Sequence, residues 1–140
     1  MCVKCCSTKT SVKSILLIDY EASVREILQV CLSEIGGWNA IAAASFEEGL
    51  TLLLKEKVDA IVMDNFSAKR DSIKFIQKLK ANPVTRSIPI LLITYKASWY
   101  SRQHLQDMSV VGAIAKPFDP VRLPVQISQL LGWNYTVETF

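Results

Sequence analysis

The sequence lacks the features that mark nucleotide-binding, secreted and membrane-spanning proteins. Its 140 residues include only five glycines. They form neither a G-x-G-x-x-G fingerprint nor a P-loop, so we do not expect a nucleotide cradle. No apolar run approaches the roughly 18–20 residues that a membrane helix needs, and residues 1–13 have no apolar signal-peptide core. These absences predict a cytoplasmic protein that does not engage a membrane.

Motifs of nucleophilic hydrolases and of zinc sites are also missing. There is no G-x-S-x-G, and the single histidine, His104, has no triad context. The four cysteines do not have the paired spacing of a zinc site, because three of them crowd into a C-x-x-C-C tail. They are Cys2, Cys5, Cys6 and Cys31. We interpret residues 1–13 as a tail with reduced thiols, typical of a cytosolic protein.

A strong charge of one sign is absent from the body of the chain. The net charge is +3, and Lys4, Lys9 and Lys13 account for all of it. Residues 14–140 therefore hold 13 basic and 13 acidic residues. A nucleic-acid-binding domain usually carries a basic face across its folded part, so we expect no direct contact with DNA or RNA.

Hydrophobic residues make up 50% of the chain, enough for one domain with a real core. Buried strands are predicted over residues 14–18, 59–63, 88–93 and 110–115, because each is a short apolar run, and residues 38–43 are strand-like. Apolar residues at helical spacing follow each strand: Val24, Ile27, Leu28, Cys31 and Ile35; Phe46, Leu50, Leu53 and Leu54; Ile73, Ile76 and Leu79; a weaker stretch over 99–108; and Leu123, Ile127, Leu130 and Leu131. This alternation predicts a five-stranded parallel sheet with helices on both faces. The domain spans 14–131, between tails at 1–13 and 132–140.

Four of the predicted strands end in a polar or charged residue: Asp19, Asp64, Thr94 and Lys116. Since the carboxyl ends of parallel strands share one edge of a sheet, these side chains are expected to project from the same edge. A carboxylate can act as a nucleophile towards phosphorus, and crowded carboxylates favour a hard cation such as Mg²⁺. A lysine and a hydroxyl can hold phosphoryl oxygens. The set therefore indicates phosphoryl transfer to a carboxylate.

Four segments in order along the chain resemble the receiver domain of two-component response regulators. They are ILLIDYEASVREIL (15–28), DAIVMD (59–64), IPILLIT (88–94) and GAIAKPF (112–118). The resemblance covers roughly residues 14–131. It implies a doubly wound (βα)5, flavodoxin-like α/β fold of the CheY-like type, and a phosphoprotein that acts in a phosphorelay and is not an enzyme in its own right.

The resemblance also implies a role for each residue at the predicted edge. Asp64 matches the aspartate that accepts the phosphoryl group, and Thr94 and Lys116 match the hydroxyl and the lysine that orient it. Asp19 matches the first of two acidic residues that bind Mg²⁺. Asp64 and the backbone carbonyl of Phe66 would be further metal ligands.

Several positions depart from the receiver pattern, among them Tyr20, Tyr95 and Ala113. The second acidic residue is replaced by Tyr20, a poor Mg²⁺ ligand, which predicts weakened affinity for the cation. Glu21 is a further candidate metal ligand, although a solvated acid in the first helical turn is the simpler interpretation. Tyr95 stands where a small residue is usual and would narrow the approach to the acceptor. Ala113 replaces the usual switch aromatic, so a signal is expected to take another route.

Two functions are left open by the sequence. The first is a stand-alone receiver that takes its phosphoryl group from a histidine kinase or a histidine phosphotransfer protein. The second is a pseudo-receiver that binds partners without efficient phosphorylation.

In both cases we expect signalling by protein contacts through the helix 4–strand 5–helix 5 face, since nine residues after 131 cannot form a DNA-binding domain. A homodimer is left open. A phosphatase is disfavoured, because residues 19–21 read D-x-E and there is no room for a cap domain.

Overall fold

The computed structural model describes residues 12–64 and 69–134. Within these residues, five strands form one parallel sheet in the order β2-β1-β3-β4-β5. The strands are β1 (Ser14–Ile18), β2 (Asn39–Ala43), β3 (Ala60–Met63), β4 (Ile90–Thr94) and β5 (Gly112–Ala115). The predicted fold class is confirmed. The predicted limits of the domain and its tails, including the thiols of residues 2–6, concern segments that lie partly outside the described residues and stay a prediction.

The three central strands are buried on both faces, which explains why their sequences are unbroken apolar runs. Successive side chains point to opposite faces of a strand. In β1, Leu16 and Ile18 enter one hydrophobic cluster, whereas Ile15 and Leu17 enter a second cluster on the other face. The sheet is therefore the middle of three layers.

Five α-helices in the described part of the chain cover the sheet. They are α1 (Ala22–Val30), α2 (Phe46–Lys55), α3 (Lys69–Ala81), α4 (Arg102–Asp107) and α5 (Leu123–Leu131). Residues of α2, α3 and α4 pack in the cluster that contains Leu16, and those of α1 and α5 pack in the cluster that contains Ile15. No helix in this part of the chain has the length and apolar character to cross a membrane.

The apolar face of α1 differs from the predicted one. Leu28, Cys31 and Leu32 are buried, but Ile27 is 50% exposed. Ile27 lies one residue, about 100° around the helix, from the buried Leu28 and so turns away from the core. The chain continues from α1 into a π-helical turn over Cys31–Ile35, and this wider turn rotates the side chains after Val30, so that Leu32 is buried and the predicted Ile35 is 39% exposed. In α2 the prediction for Leu54 was likewise wrong, since it is exposed while Leu53 is buried.

Side-chain caps fix two of the helix starts. The Ser45 hydroxyl accepts a hydrogen bond from the Glu48 backbone N–H (3.1 Å), as the predicted capping box requires. The Glu48 carboxylate, however, accepts from Ala44 N–H (2.7 Å), one residue before the cap. At α4 a full capping box joins Ser101 and His104. The histidine of the sequence therefore has a structural role as a cap.

Candidate functional site

The two acidic residues of the site come from neighbouring strands at the carboxyl edge of the sheet. Asp19 directly follows β1 and Asp64 directly follows β3, and these two strands pair in parallel. The chain changes direction across the sheet here, since β2 lies on one side of β1 and β3 on the other. Such a point is where open α/β sheets place their ligands. Asp19 is 1% exposed and Asp64 is 7% exposed.

The ammonium group of Lys116 bridges the two carboxylates. Lys116 Nζ lies 2.8 Å from Asp19 Oδ2 and 3.0 Å from Asp64 Oδ2, and its side chain is almost fully buried. Burial alone would lower the pKa of Lys116, but the hydrogen bonds and charges of the two carboxylates outweigh it and raise the pKa above its ordinary value. The ammonium is therefore held in its charged form, and the three side chains together carry one net negative charge.

Backbone hydrogen bonds fix the position of Asp19. Its amide donates to Ala43 O of β2 (3.2 Å), and its Oδ1 accepts from the backbone N–H of Glu21 (2.9 Å). Arg25 Nη1 donates to the Asp19 carbonyl (2.7 Å). Asp19 Oδ1 thus holds the start of α1 while Oδ2 holds Lys116, so one carboxylate links the helix to the ion pair.

Thr94 ends β4 at the same edge and is buried. Its carbonyl accepts from the Lys116 backbone N–H (3.0 Å), and its hydroxyl accepts from the Lys96 backbone N–H (3.2 Å). The structure thus brings the Asp19, Asp64 and Lys116 side chains into direct contact. Thr94 lies at the end of β4, the strand next to β3, and its hydroxyl is hydrogen-bonded within the turn that follows β4.

Two tyrosines lie near the site: Tyr95, which the sequence predicts to narrow the approach to Asp64, and Tyr100, which the sequence does not assign to the site. The Tyr95 ring lies over Lys116 Nζ, with 5.2 Å between the nitrogen and the ring centroid. Burial, and then the negative charge of Asp64, raise the pKa of the Tyr100 phenol. The contact of Tyr95 with Lys116 and the proximity of Tyr100 to Asp64 were not predicted, since both depend on the path of the chain after β4.

Tyr20 stands at the position of the second acidic residue of receivers, but its side chain lies in a surface groove. It is 57% exposed and lines a surface cavity of about 420 Å³ together with Phe46 and Phe75. The rings of those two phenylalanines stack with their centroids 4.8 Å apart. Tyr20 therefore belongs to the groove between α2 and α3.

The remaining candidate metal ligands were Glu21 and the Phe66 carbonyl. Glu21 is the N-cap residue of α1, without a side-chain capping bond, and Phe66 lies outside the described residues. Within the described segments, no three His, Cys, Asp or Glu side chains are grouped so as to hold a metal ion. The roles of Asp19, Glu21, Asp64, Thr94, Lys116 and Phe66 all stay predictions.

Comparison with known proteins shows which family the chain matches. The family model described as the response regulator receiver domain matches residues 15–128. The phosphate regulon transcriptional regulatory protein PhoB of Pseudomonas aeruginosa is 28% identical over 119 residues, which are 85% of this chain and 52% of PhoB. The chain spans about half the length of the curated relatives it matches.

Solved structures share the fold at low sequence identity. Chemotaxis response regulator CheY4 of Vibrio cholerae superposes with a TM-score of 0.76 at 22% identity, covering 86% of this chain and 99% of CheY4. The receiver domain of the sensor histidine kinase PA1611 from Pseudomonas aeruginosa PAO1 does so with a TM-score of 0.73 at 20% identity, covering 87% and 99%. That structure has a magnesium ion coordinated in its active site cleft. From the family match, this chain belongs to the response regulator receiver domains, the signalling modules of two-component systems.

Proposed function

We propose that this chain is a stand-alone receiver that accepts a phosphoryl group on Asp64 and signals by protein contacts. The observation that carries the proposal is the bridge of Lys116 between Asp19 and Asp64 at the carboxyl edge of the sheet. A buried ammonium 3.0 Å from the acceptor carboxylate is placed to stabilise the charge that develops on a transferred phosphoryl group. The donor would be a histidine kinase or a histidine phosphotransfer protein, as for receivers in general.

The transfer is a substitution at phosphorus. An Asp64 carboxylate oxygen attacks the phosphorus of a donor phosphohistidine, so that a P–O bond forms and the P–N bond breaks. The imidazole leaves with the electron pair of the broken bond and takes up a proton. Lys116 and the hydroxyl of Thr94 donate hydrogen bonds to the phosphoryl oxygens; the Thr94 oxygen already accepts from the Lys96 backbone N–H, and its hydroxyl proton is the donor.

The carboxylates of Asp19 and Asp64 fit a magnesium ion, because both present oxygens to the same small region. A bound Mg²⁺ would neutralise phosphoryl charge during transfer. With Tyr20 turned to the α2–α3 groove, two carboxylates face one ammonium, and the net charge of −1 attracts a divalent cation less than −2 would. This arrangement supports the prediction that the affinity for Mg²⁺ is weakened.

The position of Tyr20 favours the alternative, a pseudo-receiver that binds partners without efficient phosphorylation. In that case Lys116 serves as the permanent counter-ion of the two carboxylates, and the fold is retained for its surfaces. Both functions place the output on the face formed by α4, β5 and α5. The two differ in one measurable property, which is Mg²⁺-dependent formation of an aspartyl-phosphate.

The deciding experiment is phosphorylation of the full chain by acetyl phosphate with and without Mg²⁺. Mass spectrometry would detect the added phosphoryl group, and the Asp64→Asn variant is the control. We expect a Mg²⁺-dependent adduct in the wild type and none in the control. No adduct with acetyl phosphate or with a phosphorylated histidine phosphotransfer protein, at high Mg²⁺, would refute the receiver function and leave the pseudo-receiver.

A second variant separates weak metal binding from a defective acceptor. Tyr20→Asp restores the missing carboxylate next to Asp19 without touching the Lys116 bridge. We expect it to bind Mg²⁺ more tightly than the wild type and to form the adduct at lower Mg²⁺ concentration. Tyr20→Asn is the matched control, because asparagine has nearly the same shape as aspartate but no charge. We do not expect it to tighten Mg²⁺ binding or to lower the Mg²⁺ concentration needed for the adduct.

A further inference from the structure

An exposed aromatic ring covers the buried ammonium of the site. The Tyr95 ring is 64% exposed, while the Lys116 side chain beneath it is 2% exposed. The 5.2 Å between Lys116 Nζ and the ring centroid is within the roughly 6 Å range of a cation–π interaction. Lys116 thus has three attractive neighbours, namely two carboxylates and one aromatic face.

Hydrogen bonds on both sides of Tyr95 fix its backbone next to the strand end that carries Lys116. On one side, the carbonyl of Thr94 accepts from the Lys116 backbone N–H (3.0 Å), which sets the register between the ends of β4 and β5. On the other side, the Thr94 hydroxyl accepts from the Lys96 backbone N–H (3.2 Å) and closes the turn that contains Tyr95. The ring and the ammonium are therefore brought together by the same short segment of the fold.

We propose that Tyr95 is a positioning residue that holds the Lys116 ammonium in its bridge between Asp19 and Asp64. The ring face attracts the cation across 5.2 Å. A lysine side chain has four rotatable bonds, so a third attractive neighbour restricts it to the bridging position. The consequence for phosphoryl transfer rests on the proposed function, whereas the effect on the resting position of Lys116 does not.

The same turn contains a second aromatic–lysine pair that serves as a control. Lys96 Nζ lies 4.8 Å from the centroid of the Trp99 ring, and both side chains are exposed. This pair has the contact geometry of the first pair but no connection to the carboxylates. Substitution of Trp99 therefore reproduces the loss of an exposed ring from this loop without removing the cover of Lys116.

The first test uses NMR of the full, unphosphorylated chain without metal, with the lysine Cε positions labelled. In the wild type and in Tyr95→Phe, we expect the two Lys116 Hε protons to be shifted upfield by the ring and to remain separate, because the side chain is held. In Tyr95→Leu, which keeps bulk but has no ring, both features should be lost. Trp99→Leu should retain them. Separate Lys116 Hε resonances in Tyr95→Leu would overturn the proposal.

The second test measures the rate of phosphorylation by acetyl phosphate in the same four proteins. A cation–π contact is worth between about two- and fivefold in a rate that depends on the position of the cation. Tyr95→Leu should therefore react about two- to fivefold more slowly, and Tyr95→Phe and Trp99→Leu at the wild-type rate. Equal rates for Tyr95→Leu and Tyr95→Phe would overturn the role in transfer. Failure of the wild type to react would count against the proposed function alone, since the NMR result is independent of it.

Discussion

Replacing Lys116 by methionine tests how much the buried charges of the site contribute to stability. Methionine keeps much of the alkyl chain but removes the ammonium that lies 2.8 Å from Asp19 and 3.0 Å from Asp64. The two carboxylates, 1% and 7% exposed, are then left without their common cation. Removing one partner of a buried ion pair typically costs about 3–5 kcal/mol, because a charge remains buried and uncompensated. We expect the free energy of unfolding at pH 7 to fall by that amount.

Urea unfolding monitored by tryptophan fluorescence measures this change as a shift of the midpoint. With a slope of about 1–3 kcal/mol per molar urea, a loss of about 3–5 kcal/mol moves the midpoint by at least roughly 1 M. Lys96→Met removes an exposed lysine of the neighbouring loop and should cost about 1 kcal/mol or less. Adding Asp64→Asn to Lys116→Met should recover part of the loss. A Lys116→Met effect no larger than that of Lys96→Met would refute the reasoning, since it would mean that water already solvates the carboxylates.

Three further changes probe the fold around the site. Burial raises the pKa of the Cys31 thiol from 9.0 to about 11; because the unfolded chain then loses its proton first, stability should fall by about 2–3 kcal/mol as the pH rises from 9 to 11. Cys31→Ala should flatten this dependence in urea titrations, and an unchanged slope would contradict it. Gly36→Ala should lower stability by about 1–3 kcal/mol, because its Cβ would lie 2.6 Å from a backbone carbonyl. Gly37→Ala, with open space but a φ of +74°, should cost about 1 kcal/mol. A larger loss of thermal stability for Gly37→Ala than for Gly36→Ala would count against the steric argument. Ser45→Ala should cost about 1 kcal/mol by removing the bond to the Glu48 amide, whereas Ser45→Asp should retain stability.

The strands were the easiest part of the fold to predict from the sequence. A strand covered on both faces needs an unbroken apolar run, and the runs at 14–18 and 59–63 correspond to β1 and β3 within one residue. The polar residue after each run then falls at the carboxyl edge. The proximity of Asp19 and Asp64 follows from this because β1 and β3 are neighbours in the sheet.

The helices were less predictable because their faces depend on tertiary detail. Spacing alone placed Ile35 in the apolar face of α1, but the π-helical turn after Val30 buries Leu32 and leaves Ile35 partly exposed. The weak periodicity over 99–108 has a similar cause. This stretch is a 3₁₀ turn over Ala97–Trp99 followed by the short α4, whose start is fixed by a Ser101–His104 capping box. The spacing of apolar residues does not predict this change from a 3₁₀ turn to an α-helix.

The Lys116 bridge changes what the presence of the site residues implies about function. The same ammonium that would hold a phosphoryl group also compensates two buried carboxylates. Removing Lys116 leaves buried charge uncompensated, so the joint presence of the three residues is consistent with a pseudo-receiver as well as with a phosphorylated receiver. The residue that separates the two functions is therefore Tyr20, which lies outside the ion pair in the α2–α3 groove. Changing Tyr20 alters the charge available to Mg²⁺ while leaving the bridge in place, and so it tests the chemistry of the site apart from its contribution to stability.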